Sequence, residues 1–166
     1  MKKIVGLLFA FLLLSCGAKK PSGPTIAALL SECPKNGTCT VKILSHKSMV
    51  VTQDDYGMHY KLEENPEKNV VLYTYSRTIK GDVQDASYRE EVVFEVNNDL
   101  KNGILSDPDL QSSKMLFGRF CFCKGQTGYY NVTNGKMALD LDKNLSLDFT
   151  VSEIPQVIKQ LRISIK

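Results

Sequence analysis

The chain has no tryptophan, two histidines among 166 residues, and no apolar run longer than the eleven residues of Ile4–Leu14. Each scarcity excludes something. An eleven-residue run is too short to span a bilayer, which takes about 20 residues. His46 falls in a turn and His59 in the alternating stretch YGMHYKL, so both read as exposed side chains, not as a metal or catalytic pair. Outside the first fifteen residues, 19 basic side chains face 18 acidic ones. No concentrated basic face remains, and nucleic acid is excluded as a partner. There is no G-x-S-x-G, no P-loop and no H-E-x-x-H, so the common hydrolase, nucleotide and zinc-protease signatures are missing. Internal repeats and low-complexity tracts are missing too.

What is present begins at the N-terminus. Met1-Lys2-Lys3 is a positive start, and Ile4–Leu14 has the length of a signal-peptide core. Leu13-Leu14-Ser15-Cys16 then resembles the lipobox of bacterial lipoproteins. The resemblance covers the first sixteen residues. It implies a diacylglyceryl group on the Cys16 thiol, cleavage before Cys16 and acylation of the new amino group. Several acyl chains on one residue hold a protein firmly, because each buried methylene contributes about 0.8 kcal/mol. Gly17 follows the cysteine where aspartate would be the retention signal of enteric bacteria, which by the resemblance implies the outer membrane. Ala18-Lys19-Lys20 lacks the acidic residues that mark surface export in some Bacteroidota, which implies a periplasm-facing anchor. Residues 16–24 (CGAKKPSGP) read as the lipidated cysteine and a flexible tether. Residues 25–166 read as one domain. This mature region resembles uncharacterised small β-rich lipoproteins of Bacteroidota, a likeness that implies no activity.

With Cys16 set aside, Cys33, Cys39, Cys121 and Cys123 form an even set, which in an oxidising compartment predicts two disulfides. On a strand, Cys121 and Cys123 would point to one face with α-carbons about 6.6 Å apart, near the outer limit for a bridge. The preferred pairing therefore staples the Cys33/Cys39 segment across to the Cys121/Cys123 pair. The competing one closes Cys33–Cys39 around Pro34-Lys35-Asn36-Gly37, leaving Cys121 and Cys123 reduced or bonded to each other. The spacings, five residues and one, suit neither a zinc ribbon nor thioredoxin-like C-x-x-C chemistry.

Thr25–Cys33 (TIAALLSEC) reads as a short N-terminal helix stopped by Pro34. After it, period-two alternation dominates. Cys39–Leu44 and Ser48–Thr52 read as a hairpin about Ser45-His46-Lys47. Met58–Leu62, Val70–Ile79, Tyr88–Val96 and Met115–Lys124 read as further strands, the last apolar on both faces. Tyr88–Val96 has one apolar and one charged face. Tyr129–Thr133, Lys136–Leu141 and Leu145–Val151 read as a meander, followed by a brief helix over Ile154–Leu161 and a closing strand through Leu161, Ile163 and Ile165. The fold class is mainly β, an antiparallel β-sandwich or small β-barrel of eight or nine strands.

Asp140-Leu141-Asp142-Lys143-Asn144 imitates the opening of a calcium loop, but Leu145 stands where glycine is required and Val151 where glutamate belongs. It reads as a strand end and turn, and neither metal nor cofactor is expected. Among the aromatic residues, the GQTGYY loop is the strongest binding candidate, with Gln126, Tyr129 and Tyr130 as its contact residues. The functional expectation is a non-enzymatic, lipid-anchored cell-envelope module. It would be held to the membrane by its anchor and would bind an envelope protein or wall component. The alternatives are a β-barrel carrier of a small apolar ligand and a metal-dependent or redox protein using its Cys and His residues.

Overall fold

The computed structural model describes residues 25–26, 28–30, 32–79, 81 and 85–166. The lipobox, Cys16 and the tether lie outside these residues. Eleven strands and one short 3-10 helix make up the described fold. They are β1 (Thr25–Ile26), β2 (Ala28–Leu30), β3 (Gly37–Asp54), β4 (Gly57–Arg77), β5 (Tyr88–Asn97) and β6 (Gly103–Ser106). After the 3-10 helix (Asp107–Ser113) come β7 (Leu116–Cys121), β8 (Gly128–Asn131), β9 (Asn134–Leu139), β10 (Asn144–Thr150) and β11 (Gln160–Ile165).

One sheet runs β1-β3-β4-β5-β7-β8, and the other β2-β11-β10-β9-β6. Every pairing is antiparallel. The alternation in the sequence explains the space between the sheets. Val71, Tyr73, Val92, Phe94 and Phe117 from the first sheet meet Leu145, Leu147, Phe149, Leu161 and Ile163 from the second, none more than 3% exposed. Burying ten such side chains at about 1.5–3 kcal/mol each makes this layer the main source of stability.

The first sheet closes on itself in addition. β3 and β4 form one long hairpin, bent where Ser45 pairs with Asn69 but Lys47 pairs with Glu64. Four residues of β4, 65–68, therefore oppose His46 alone. His46 takes φ 56° there, and its N–H donates to Asn69 Oδ1 at 3.1 Å. Beyond the bend the outer arm folds over the sheet, and Met58 reaches Tyr129 of β8. Strands β4, β5, β7 and β8 thus enclose a second, smaller core of Met49, Val70, Val93 and Leu116. The fold combines a sandwich with a small four-stranded barrel, so both architectures named in the sequence reading are present.

Four sequence expectations are corrected. Within Thr25–Cys33, residues 25–26 and 28–30 form strands β1 and β2, because pairing with β3 and β11 outweighs local helix propensity. The turn at Ser45-His46-Lys47 is a bulge inside one continuous strand. β8 and β9 belong to different sheets, so Asn134-Gly135 opens a crossing instead of a hairpin. Ile154–Leu161 is irregular up to β11, and Val157 and Ile158 turn their N–H groups to Glu90.

Candidate functional site

Both cystines lie at one end of the molecule. The cross-strand staple expected from sequence is overturned: Cys33 pairs with Cys39 and Cys121 with Cys123, at α-carbon separations of 5.7 and 5.2 Å. The reason lies in where β7 stops. Its last ladder pair is Tyr88 with Cys121, so Cys123 already belongs to the turn. That turn is closed by Gln126 N–H donating to Cys123 O at 3.1 Å, with Gly125 at φ 69°. The extended-strand spacing does not apply to a residue that has left the strand. Each bond also restrains little of the unfolded chain. A loop of about three residues is worth about 1.6 kcal/mol in the entropic account, against about 4.5 for the expected staple of about 80 residues. Chain restraint alone therefore does not explain Cys121–Cys123.

Its surroundings are specific. Phe122, between the two cysteines, is 81% exposed, and Ile79 across the cleft is 44% exposed. Tyr88, paired with Cys121, has two guanidiniums over its ring, Arg77 at 4.0 Å and Arg119 at 5.4 Å from the centroid. Arg89 stacks on Phe120 at 4.5 Å and pairs with Glu91 at 3.2 Å. An open cleft of about 600 Å³ runs between these groups, lined by Arg77, Ile79, Asp85, Tyr88, Arg89, Phe120, Cys121 and Phe122 among others. A second opening of about 420 Å³ shares Arg77, Ile79, Tyr88 and Phe122 and reaches both Cys121 and Cys123.

The floor of this end is anchored. Arg119 is buried; its Nη1 donates to Gln126 Oε1 at 2.6 Å and its Nη2 lies 3.9 Å from Cys123 Sγ. Its Nε is buried without a hydrogen-bond partner among the described residues. The Tyr88 hydroxyl donates to Glu90, whose carboxylate also receives Val157 N–H at 2.8 Å and Ile158 N–H at 2.7 Å. Burial, then the Glu90 carboxylate as hydrogen-bond partner, pushes the Tyr88 hydroxyl up to about 12. It is therefore a neutral donor at physiological pH.

The three contact residues expected from sequence are placed as follows. Gln126 is exposed, with its carbonyl oxygen engaged by Arg119. Tyr129 is half-buried, its hydroxyl donating to Glu91 Oε2 at 2.7 Å and its ring edge-on to Tyr60 and Phe120 at 5.3 and 5.2 Å. Burial first, and the Glu91 carboxylate second, push its hydroxyl strongly upward. Tyr130 packs from the other face of β8 against the main core. Both tyrosines border a cleft of about 360 Å³ under the hairpin tip, with Tyr56, Met58 and Glu153. Gln126 instead serves the cystine end, so the loop is divided between two places.

Phe122, Ile79, Arg77 and Tyr88 are not among the contact residues expected from sequence. The available signal was C-F-C followed at once by Lys124-Gly125, a strand end whose last aromatic residue no longer has a ladder to cover it. Asp140 accepts Asn144 N–H at 2.8 Å and Asn144 Nδ2 at 3.0 Å, closing a turn. Among the described residues no group of three or more His, Cys, Asp or Glu side chains is placed to hold a metal ion. His59 lies 3.8 Å from Asp54 on the hairpin arm, and His46 sits at the bend. Compared with models of protein families, with curated proteins and with solved structures, the chain finds no match.

Proposed function

We propose that this chain is a lipid-anchored cell-envelope module that binds a polypeptide partner at its cystine end, without turnover of its own. The observation that carries the reading is the exposure of Phe122 and Ile79 beside Arg77 on a rim held by two cystines and the Tyr88–Glu90 hydrogen bond. Exposed aromatic side chains next to arginine are the residue types that dominate binding energy at interfaces. Among the described residues Arg77 has no ion pair, and Asp85 is the one acidic residue lining the 600 Å³ cleft. The surface suits an extended segment that offers an apolar side chain to Phe122 and a carboxylate to Arg77. The filled space between the sheets supports a surface-binding role over an interior ligand. Export is supported by the lipobox at Leu13–Cys16.

Crosslinking and pulldown of the wild-type chain from its own envelope is the direct test, compared with Phe122→Ser/Ile79→Ser. The double variant is expected to lose the partner. Recovery of the same proteins by both chains removes the cystine-end surface from consideration. Labelling with clickable palmitate tests the anchor: wild type is expected to take the label and Cys16→Ala is not.

The carrier reading has one specific observation in its favour. At the other end of the sandwich an open cleft of about 360 Å³ has Met137, Leu139 and Leu145 in its floor and Lys68 and Lys101 at its rim. That volume sits near the bottom of the range for small-molecule sites. Displacement of a fluorescent fatty acid by wild type, lost in Met137→Glu, would support it.

A further inference from the structure

We propose that Cys121–Cys123 is a thiol–disulfide exchange site, at which a cysteine of the bound polypeptide is captured covalently through Cys121. The proposal rests on the cystine-end binding reading and adds the chemistry of the partner.

Three independent features meet at this bond. The first is access. Phe122 projects into solvent at 81% exposure, and Cys121 lines both openings of the cleft. A thiol carried by a segment lying in that cleft meets Cys121. The second is charge. Arg119, only 8% exposed, has its Nη2 3.9 Å from Cys123 Sγ and its guanidinium held by Gln126 Oε1. A fixed positive charge beside a sulfur stabilises its thiolate and makes it the better leaving group. The third is independence from the fold. The ladder ends at Cys121 and Cys123 is in the turn, so opening the bond removes no strand pairing. The turn keeps its own closure through Gln126 N–H and Thr127 Oγ1, the latter donating to Arg119 O at 3.1 Å.

The step balances as a simple exchange. The partner thiolate attacks Cys121 Sγ, the Cys121–Cys123 bond breaks, and its electron pair leaves on Cys123 Sγ beside Arg119. One disulfide and one thiolate become another disulfide and another thiolate, so nothing is oxidised overall. Return attack by Cys123 on Cys121 releases the partner unchanged. If the partner carries a second thiolate, its attack on the partner sulfur of the mixed disulfide releases an oxidised partner. Cys121 and Cys123 are then left reduced, the partner dithiol having supplied both electrons. Arg119 is a positioning residue in this scheme, acting through the thiolate it stabilises.

The Cys33–Cys39 bond is the internal reference. It has a neutral donor, the Tyr73 hydroxyl at 2.9 Å from Cys39 Sγ, where Cys123 has a guanidinium. The full chain in detergent is mixed with a fluorescent cysteinyl-phenylalanine dipeptide, quenched at intervals and mapped by mass spectrometry. The dipeptide is expected on Cys121, forming at least tenfold faster than on Cys33 or Cys39. Arg119→Met is expected to slow capture about tenfold and to move the pH profile of Cys123 alkylation in the reduced chain upward, while Arg119→Lys restores most of both. Equal rates at the two disulfides, or an adduct on Cys123, overturns the proposal. An unchanged alkylation profile in Arg119→Met does so as well. The wild-type rates decide even where Arg119→Met does not fold. Envelope crosslinking with Cys121→Ser/Cys123→Ser separates the two readings. Partner recovery by this variant, with no mixed disulfide in wild type, keeps the binding surface and removes the exchange. Dipeptide capture by wild type, with no partner lost on Phe122→Ser/Ile79→Ser, keeps the exchange and removes the surface.

Discussion

Glu90 has no exposed surface, yet its partners on the 153–158 segment are two backbone N–H groups and not a cation. The carboxylate completes the backbone hydrogen bonds of an irregular segment that has no ladder of its own. Removing it orphans those two donors at about 1–3 kcal/mol each, so Glu90→Ala should cost about 2–6 kcal/mol in urea unfolding. The alternation of Tyr88–Val96 put Glu90 on the same face as Val92, Phe94 and Val96, correctly. Its partners were illegible, since Val157 lies 67 residues away. On the opposite, charged face only Arg89 stays exposed: Glu91 is 8% and Glu95 5% exposed under the folded hairpin arm.

Glu95 makes its burial testable by pH. Desolvation raises its pKa, but the Lys114 ammonium at 2.8 Å, the Met49 N–H at 2.6 Å and the Ser48 hydroxyl at 2.8 Å outweigh this and leave it lowered from 4.5. A carboxylate depressed in the folded state adds stability above its unfolded value, and that stability is lost as pH falls through the folded value. Acid unfolding of Glu95→Gln should therefore show a flatter dependence below about pH 4.5 than wild type, measured by urea midpoints. The alkaline limb has the opposite sign. Tyr73 and Tyr88 are raised from 10.0 to about 12, by burial first and then by Glu90. Their contribution is complete below pH 10 and is lost as pH rises towards 12. Tyrosinate absorbance should lag behind that of the unfolded chain across this window.

Among the elements, the β3–β4 hairpin departs furthest from its sequence signals. The sequence reads as a hairpin about Ser45-His46-Lys47 and as separate strands at Met58–Leu62 and Val70–Ile79. In the structure Ser45-His46-Lys47 and residues 65–68 compose one bend inside two continuous strands, where Asn65 Oδ1 accepts Glu67 N–H at 3.0 Å and β4 begins its pairing with β5 at Lys68. Proline is tolerated there because a bulge asks for no ladder hydrogen bond. The inner arm of β4, up to Arg77, has partners on both sides, whereas the outer arm is tied to β8 by a single pair. Amides of residues 57–64 should therefore exchange with deuterium faster than those of 69–77, read by mass spectrometry after brief labelling. The two cystines should differ modestly as staples: about 2.4 kcal/mol for Cys33–Cys39 and about 1.6 for Cys121–Cys123 by loop length, checked with the paired serine variants.

Over the whole molecule, alternation was enough to announce an antiparallel β fold. Leu145, Leu147, Phe149 and Val151 face inward as their spacing implied. Which strands share a sheet was not legible, because β8 and β9 are separated by two residues and still part company. The site was half legible for a related reason. Gln126 and Phe122 are local to C-F-C-K-G-Q, but Arg77, Ile79 and Tyr88 reach them only through the β4–β5–β7 register. No reading of one segment assembles three strands.

The position of β1 gives the molecule a direction. Thr25 is opposite Leu44 on β3, seven residues from Gly37, which pairs with Arg77 at the cystine rim. At about 3.3 Å per residue that is about 23 Å along the strand. The described chain thus begins well back from the rim that carries Phe122, and an anchor at Cys16, as proposed, would leave that rim open to a partner.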